Sequence, residues 1–407
     1  MSHIDLTDPR WTTEALTGWL YQNGFTVGPA AEGGAARFVR YPGDARDGLP
    51  SEAVEVILTR AEGGHRLVFR GPDGEAVEVD ARAFAETGPV TGFIDRHFRH
   101  YNAGIVARAA RGYRAHIELG RKMMVTLAGA MSTAELGISL AEMIRQGKVH
   151  AITCTGANLE EDLFLLLHRE DYRHVQWREQ SAEADAELYD AGFNRVTDIC
   201  IPEHTMHELI DRLKEIWAEA KASKREPQFP DVYLREAITS LMAKQPHLKA
   251  RARDSWLWQA WQHDVPVFVP GWADSTVGNG FAAWCIKNEI APHKLLLTDA
   301  DAMVRLVHWL REEPNQWCGF FQIGGGIAGD FPICAVPLIT QDLKEDTAPW
   351  GYFCQISDAD TSYGGYSGAP PTEKITWGKI TLDTPRYMIS SDATIVAPLI
   401  FAYVMGL

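Results

Sequence analysis

The chain has 407 residues, 46% of them hydrophobic, which suffices for one large α/β domain or for two domains. Its formal net charge of -15 argues against a nucleic-acid partner. The six cysteines are scattered without a CxxC pair, so we assign neither disulfides nor metal ligands. The start lacks the apolar core of a signal peptide, and the apolar run 395–407 is too short to span a bilayer. We therefore expect a cytoplasmic protein without a membrane partner.

Residues 1–90 have the pattern of a separate α+β appendage. Helical spacing at 11–23 is followed by short strand-like runs at 24–27, 54–59, 65–70 and 76–79. A Gly-Pro-Asp-Gly turn at 71–74 separates the last two runs and predicts a hairpin. No catalytic cluster is visible in this part, so we assign it no function.

From about residue 91 onward, strand-length apolar runs alternate with helical patterns. A helix is predicted at 93–115. Strands are predicted at 123–127, 149–155, 265–269, 294–298, 318–323 and 352–357. Further helices are predicted at 132–146, 159–168, 206–221, 232–244, 279–288 and 302–312, with a buried final helix from 395. This alternation predicts an α/β domain over 91–407 with a doubly wound, mostly parallel Rossmann-like sheet.

Small residues and glycines follow several of the predicted strands. They occupy 128–132, 155–158, 273–278 and 324–326. Doubly wound sheets bind ligands at the carboxyl ends of their strands, and small residues let backbone N–H groups approach a phosphate. Together these loops predict a dinucleotide site, although tight turns alone would also explain them. The GxGxxG match at 324–329 is weak evidence on its own.

A lysine near the C-terminal end has an unusual setting. Lys379 lies in the segment Ile-Thr-Trp-Gly-Lys-Ile-Thr at 375–381, and Glu373 precedes it by six residues. Desolvation in an apolar, aromatic environment favours the neutral amine, which is a nucleophile. Alternatively, Lys379 lies at a strand edge with its stem on Trp377 and its ammonium group in water.

The motifs, taken in order, resemble those of the deoxyhypusine synthase family. They are Leu-Ala-Gly-Ala-Met at 127–131, Thr-Gly-Ala-Asn-Leu-Glu-Glu-Asp at 155–162, Val-Pro-Val-Phe at 265–268 leading to Asp274, the glycines 324–326, Ser-Gly-Ala-Pro at 367–370, Trp-Gly-Lys-Ile at 377–380 and Ser-Asp-Ala at 391–393. The resemblance covers residues 90–407, and the ordered set is more specific than any single piece.

That resemblance implies a mechanism. The family uses NAD to oxidise spermidine beside its secondary amine, and an active-site lysine captures the resulting imine. The aminobutyl group passes to a lysine of a translation factor, and the NADH reduces the new imine. The resemblance implies that Lys379 is the nucleophile, that Glu161 lies near the reacting centre and that Trp377 lines the amine channel.

The resemblance also implies a cofactor site and an assembly. The residues expected to line the NAD site are Ala130, Met131, Ser132, Thr155, Gly156, Asp274, Gly324, Gly325, Asp358, Asp392 and Ala393. A homotetramer with sites shared between subunits is expected.

Three positions depart from the family at its spermidine contacts. Asn279 and Tyr366 stand where the family carries acids, and Asp330 stands where it carries a histidine. With Glu373 and Ser367 they form the predicted substrate-binding set. The residues expected around the amine therefore differ from those of the family's spermidine pocket. A protein lysine acceptor, a small amine acceptor giving homospermidine, and an agmatine donor whose guanidinium stacks on Tyr366 all stay open.

Two other classes of function fit the motifs less well. A non-catalytic NAD-binding relative would not need the imine-forming Lys379. A simple dehydrogenase would leave Lys379 without a task.

Overall fold

The computed structural model describes residues 88–362 and 364–407 in full, and the backbone of five strands between residues 26 and 81. These strands form an antiparallel sheet in chain order: β1 (Thr26–Val27), β2 (Ala36–Val39), β3 (Glu55–Ala61), β4 (Gly64–Arg70) and β5 (Ala76–Ala81). The strands predicted at 54–59, 65–70 and 76–79 are confirmed. The predicted helix 11–23 and turn 71–74 lie outside the described residues.

The chain divides into two compact units, Met1–Gly120 with Gly406–Leu407, and Arg121–Met405. The first unit contains α1 (Pro89–His97) and α2 (Tyr101–Glu118). A single helix over 93–115 was therefore wrong, because the backbone leaves the helical region at Phe98, with ψ at 77°. The domain boundary predicted near residue 90 stays a prediction.

The second unit contains a six-stranded and a three-stranded sheet. Its strands are β6 (Met123–Leu127), β7 (Ala151–Cys154), β8 (Arg173–His174), β9 (Phe193–Val196), β10 (Ile199–Pro202), β11 (Val267–Phe268), β12 (Gly319–Ile323), β13 (Tyr352–Ser357) and β14 (Arg386–Ser390). The large sheet has the order β11-β7-β6-β12-β13-β14, and each of its pairings is parallel. This is the doubly wound order. The predicted α/β fold with a mostly parallel Rossmann-like sheet is confirmed.

Helices cover the large sheet, and every residue of β6, β12 and β13 is buried, as parallel sheets require. The helices are α3 (Gly137–Arg145), α4 (Gly156–His168), α5 (Ala182–Asp190), α6 (Glu203–Ser223), α7 (Pro230–Lys244), α8 (Leu248–Arg251), α9 (Trp256–Gln262), α10 (Thr276–Lys287), α11 (Asp299–Arg311), α12 (Gly326–Ile333), α13 (Ala335–Pro337), α14 (Glu373–Thr376) and α15 (Ala393–Met405). The predicted buried final helix is confirmed as α15. Within the described ranges, no helix has both the length and the apolar character to cross a membrane.

Two strand assignments differ from the structure. The strand predicted at 294–298 is wrong, because Leu296 makes only an isolated bridge to Gln228. The carbonyl of Leu295 accepts hydrogen bonds from Gln228 N at 2.9 Å and from the hydroxyl of Tyr233 at 3.0 Å, so no sheet partner uses it. The sequence also missed β14 and the antiparallel sheet β8-β10-β9. These strands are short, and most of their residues are not buried.

Candidate active site

The loops after β6 and β12 meet at the switch point of the sheet. The two strands are neighbours, yet the chain runs from β6 toward one edge and from β12 toward the other, which is where doubly wound folds bind ligands. Ala128 N donates to the carbonyl of Ile323 at 3.0 Å. A Cβ added at Gly324, whose φ is +76°, would lie 2.9 Å from the Cβ of Ala128. Only glycine fits this close approach.

Asn158 holds the loop after β6 in shape. Its side-chain Nδ2 donates to the carbonyls of Leu127 and Gly129, at 3.1 and 2.8 Å, and its Oδ1 accepts from Ser132 N at 2.8 Å. The Ser132 hydroxyl is buried, donates to the Asn158 carbonyl at 2.7 Å and accepts from Trp256 Nε1 at 3.0 Å. Ser132 therefore has a structural role, and its contact with a cofactor stays a prediction.

The helices that begin at this edge differ in how their N-termini are satisfied. Thr155 caps α4 and Ser275 caps α10. Glu160 also accepts hydrogen bonds from the backbone N–H of Thr276 and of Val277 at the start of α10, at 2.9 and 2.7 Å. By contrast, α12 follows Gly325 without a side-chain cap. Its first N–H groups are thus suited to an anion such as a pyrophosphate.

Gly325 also links the two predicted sets of site residues. A Cβ at Gly325 would fall 1.9 Å from Ser367 Oγ, so the predicted cofactor loop packs directly on a predicted substrate-binding residue. Tyr366, next to Ser367, donates its hydroxyl to Gln322 Oε1 at 2.9 Å. The loop after β12 therefore joins the predicted dinucleotide-binding loops to the segment around Tyr366.

The other predicted cofactor residues lie near the carboxyl ends of the strands. Asp274 follows β11, and Asp358 directly follows β13; both are exposed. Asp392 accepts from the backbone N–H of Thr394 at 2.8 Å, just before Ala393 begins α15. The half-buried Ala130 and Met131 follow β6, and a Cβ added at Gly156 would lie 2.8 Å from the Cβ of Ser275.

Lys379 is buried in a loop rather than at a strand edge, with 7% of its surface exposed. The chain turns at Gly378, with φ at +69°. Lys379 N donates to the Lys374 carbonyl at 3.0 Å, and Trp350 N donates to the Lys379 carbonyl at 3.1 Å. This backbone frame fixes the direction of the Lys379 side chain, and its burial argues against the alternative in which its head lies in water.

Three other predicted site residues lie around the amine of Lys379. Its Nζ lies 3.5 Å from Asp330 Oδ1 and 5.9 and 5.8 Å from the ring centres of Tyr366 and Trp377. Trp377 is 62% exposed, so it forms the outer wall of the cluster. Burial raises the pKa of Tyr366 well above its usual value, so it stays a neutral phenol.

Glu373 and Asn279 are not part of this cluster. Glu373 is exposed at the start of α14, and Asn279 is exposed on α10. Among the described residues, no hydrogen bond or ion pair joins either side chain to Lys379. Their roles as substrate-binding residues stay predictions.

A second lysine, Lys374, was not predicted as a site residue. It is only 3% exposed, and within the described part of the chain its Nζ has no hydrogen-bond partner. The amine lies 4.7 Å from the ring centre of Phe353 and 5.0 Å from that of Tyr366. Burial, and then the positive charge of Lys379, lower the pKa of Lys374 to about 8. Its position five residues before Lys379, in the same apolar segment, was the available signal.

The Glu-Glu-Asp run on α4 separates into two roles. Glu160 caps α10, as described above. Asp162 is buried and accepts from Trp256 N and Leu257 N, both at 3.1 Å, and from the Ser255 hydroxyl at the start of α9. Both acids therefore hold helices together, a role that the sequence did not indicate.

Glu161 is the member of the run without a backbone partner in the described part of the chain. Tyr172 donates its hydroxyl to Glu161 Oε2 at 3.4 Å. Burial, and then the charge of Glu160, raise the pKa of Glu161 to about 8. Among the described residues, no hydrogen bond or ion pair joins Glu161 to Lys379. Glu161 follows β7, whereas Lys379 lies between β13 and β14, on the other half of the sheet.

Comparison with a protein-family model identifies the family of this chain. The model described as deoxyhypusine synthase matches residues 96–404, well over half of the chain. The chain belongs to the deoxyhypusine synthase family. The resemblance found in the sequence motifs is thus confirmed, and membership of the deoxyhypusine synthase family implies a transferase.

Curated relatives in the deoxyhypusine synthase family support this assignment. A deoxyhypusine synthase-like protein of Nostoc sp. is 28% identical over 324 residues, 78% of this chain and 81% of the relative. The protein of the same description from Elusimicrobium minutum is 26% identical over 312 residues, 74% of this chain and 76% of the relative. A solved structure from Entamoeba histolytica with the family name covers 77% of this chain and 92% of its own, at 14% identity and a TM-score of 0.46.

Proposed function

We propose that the protein transfers an aminoalkyl group, such as aminobutyl, from a polyamine-like donor to an amine acceptor through an imine on Lys379, with NAD as the cofactor. One observation carries this proposal. The amine of Lys379 is buried beside the half-buried Tyr366, and the largely exposed side chains of Asp330 and Trp377 lie on its outer side. A buried amine with one carboxylate and an aromatic wall suits covalent capture of an alkyl amine.

The strand-end loops fit an NAD molecule. Gly324 and Gly325 let the backbone pack closely, and the uncapped start of α12 suits the pyrophosphate. When bound, NAD supplies a hydride acceptor for the donor carbon beside the amine nitrogen and returns the hydride at the end. The residues expected to hold it are those named from the resemblance, with Asp274 and Asp392 at the ends of β11 and β14.

Lys379 performs the covalent steps in this proposal. Its neutral Nζ attacks the oxidised carbon of the donor, the bond from that carbon to the departing amine breaks, and that amine leaves with a proton. The alkyl group is then held as an imine on Lys379 until the acceptor amine attacks and releases the lysine. Burial keeps water from hydrolysing the imine. Asp330, 3.5 Å from Nζ, is placed to take the proton that Lys379 must lose.

The amine pocket differs from a spermidine pocket in where its acids lie. Each charged end of a partly desolvated alkylammonium chain needs a carboxylate partner. Here Asp330 is next to the nucleophile, whereas Asn279 and Tyr366 provide no charge. We therefore propose an altered preference for donor length or head group, with a small amine or a protein lysine as acceptor. The ring of Tyr366 already faces the amines of Lys374 and Lys379, so no observation favours stacking of an agmatine guanidinium.

We also propose a homotetramer in which subunits share sites. Glu161 and Lys379 lie on opposite halves of one sheet, and no hydrogen bond or ion pair joins them among the described residues. Pairing of subunits would place Glu161 of one copy opposite Lys379 of another.

Binding and turnover assays test this function together. We expect the purified protein to bind NAD, and to form a new secondary amine from at least one donor in a panel of diamines, triamines and agmatine. Asp274→Ala should weaken NAD binding strongly while circular dichroism shows an intact fold. The exposed Asp360→Ala, on the loop after β13, is the matched control. Unchanged NAD affinity in Asp274→Ala would show that the cofactor lies elsewhere.

A further inference from the structure

We propose that His168, Asp171 and His204 form a binding site for a divalent transition-metal ion, separate from the Lys379 cluster. One ligand atom from each residue converges, and the three atoms all lie within 4.8 Å of one another. Asp171 Oδ2 is 2.9 Å from His204 Nε2 and 3.2 Å from His168 Nδ1. The residues come from three segments: the end of α4, the turn after it, and the start of α6.

The spacing of these atoms suits a small tetrahedral ion. Zinc binds imidazole nitrogen and carboxylate oxygen at about 2.0–2.2 Å, which places neighbouring ligand atoms roughly 3.3 Å apart. The two distances from Asp171 Oδ2 are already close to that separation. Small rotations of exposed side chains would therefore complete the geometry without a change in the backbone.

Glu208 provides the outer contact that metal-binding histidines usually have. His168 Nε2 lies 2.5 Å from Glu208 Oε2, and Gln245 Nε2 donates to the other oxygen of Glu208 at 2.8 Å. A carboxylate on the far nitrogen of a histidine fixes its ring and its tautomer, and makes the near nitrogen a better metal ligand. Glu208 and Gln245 thus aim Nδ1 of His168 at Asp171.

This hydrogen-bond pattern leaves two acceptor atoms facing each other, and a cation between them would satisfy both. If His168 donates its Nε2 proton to Glu208, its neutral Nδ1 presents a lone pair to a carboxylate oxygen of Asp171. Two acceptors 3.2 Å apart repel each other, unless a second proton or a metal ion lies between them. A bound metal satisfies all three atoms at once.

The donor set indicates which ions would bind. Two imidazoles and one carboxylate suit Zn²⁺, Co²⁺ or Ni²⁺, whereas Mg²⁺ and Ca²⁺ prefer oxygen ligands. The side chains of Asp171 and His204 are about half exposed, at 49% and 57%, so an ion can enter and a water molecule can take a fourth position. The ion would tie the turn that holds Asp171 to α4 and α6. Tyr172, the partner of Glu161, directly follows that turn.

Metal titration tests the proposal. The protein is stripped with a chelator, and Zn²⁺ is titrated by calorimetry while Co²⁺ is followed by its visible absorption. We expect one equivalent per chain and a rise in Tm with Zn²⁺. His204→Gln and Asp171→Asn should weaken this binding by 100-fold or more, on the order of the loss of a ligand, and Glu208→Gln by about 10-fold. His207→Gln, an exposed histidine three residues along the same helix, should bind as the wild type does.

The alternative is that a second proton, rather than a metal, lies between His168 and Asp171. In that case, stoichiometric binding would be absent, and histidine resonances would show a doubly protonated His168 at neutral pH. Binding that survives both His204→Gln and Asp171→Asn would also overturn the proposal, since the ion would then lie on other side chains. Circular dichroism of each variant establishes that lost binding does not come from lost folding.

Discussion

The two halves of the large sheet use their charged residues differently. After β7, the Glu-Glu-Asp run on α4 places two of its three carboxylates on helix N-termini, and only Glu161 is left for chemistry. Between β13 and β14, Lys374 is buried with no hydrogen-bond partner in the described part of the chain, and Lys379 has a single carboxylate at 3.5 Å. Burial penalises the charged form on both sides. One half therefore favours the protonated carboxyl group of Glu161, and the other favours the neutral amine of Lys374.

This difference distinguishes the charged residues that stabilise the fold from those that we assign to catalysis. A carboxylate with two backbone N–H partners contributes mainly to stability, whereas a buried group without such partners costs stability and is retained for another reason. Glu160 and Asp162 belong to the first class. Glu161, Lys374 and Lys379 belong to the second, and the perturbed pKa values of Glu161 and Lys374 are of the kind found at active sites. The predictions below test that division.

The largest expected effect is on transfer in Lys379→Arg. Arginine retains a positive charge but cannot form the imine. We expect transfer to fall by three orders of magnitude or more, on the order of the loss of a covalent nucleophile. NAD binding and Tm should stay close to wild type, since the backbone frame of residue 379 does not depend on its side chain. Transfer near the wild-type rate in this variant would remove Lys379 from the mechanism.

The acidic run should separate activity from stability. Glu161→Gln removes a proton-exchanging group, and we expect activity to fall by about 10²–10⁴-fold with little change in stability. Glu160→Ala leaves two N–H groups of α10 without their acceptor, which costs about 1–3 kcal/mol in the free energy of unfolding. Urea denaturation and turnover assays measure both. A Glu160→Ala variant with wild-type stability but no activity would contradict the structural role that we assign to Glu160.

Mixed assemblies test whether the two halves meet across subunits. Lys379→Arg and Glu161→Gln are each expected to be inactive. When they are co-expressed with different affinity tags and purified on both, random pairing gives about a quarter of the sites both intact groups. We expect a corresponding recovery of activity. No recovery in a confirmed mixed oligomer would place both groups in a site within one chain.

Lys374 tests the comparison through the pH dependence of stability. Burial lowers the folded-state pKa of Lys374 to about 8, from an ordinary value of 10.5. Between these values the unfolded chain binds more protons than the folded one, so the free energy of unfolding should rise with pH across this window. Lys374→Met should remove a rise on the order of 3 kcal/mol. Parallel denaturation curves for both proteins at pH 7.5 and 10 measure the difference, and equal pH dependence would place the ammonium in water.

The sequence predicted the fold where the signal was local. Runs such as Met123–Leu127 and Tyr352–Ser357 are buried throughout, so composition alone marked them with correct ends. The edge strand Arg386–Ser390 is only partly buried and gave no such run. The prediction of a single helix at 93–115 was wrong, because the helix break at Phe98 does not interrupt the apolar spacing of the sequence.

The candidate site was predictable only in part. Motif order located Lys379, and the structure places Asp330, Tyr366 and Trp377 beside it. The roles of Glu160 and Asp162 depend on partners about a hundred residues away, such as Thr276 and Trp256, which no local pattern reveals. The burial of Lys374 and the convergence of His168 with His204 likewise result from tertiary packing.

Chemical trapping tests the central claim most directly. The protein is incubated with NAD and each amine of the donor panel, reduced with cyanoborohydride, digested and analysed by mass spectrometry. We predict an aminoalkyl adduct on the peptide that carries Lys379, dependent on both NAD and donor, and absent from Lys379→Arg. Lys374, five residues earlier, should stay unmodified. An adduct on Lys374 or elsewhere, or no adduct with any donor that the protein turns over, would contradict the Lys379 imine.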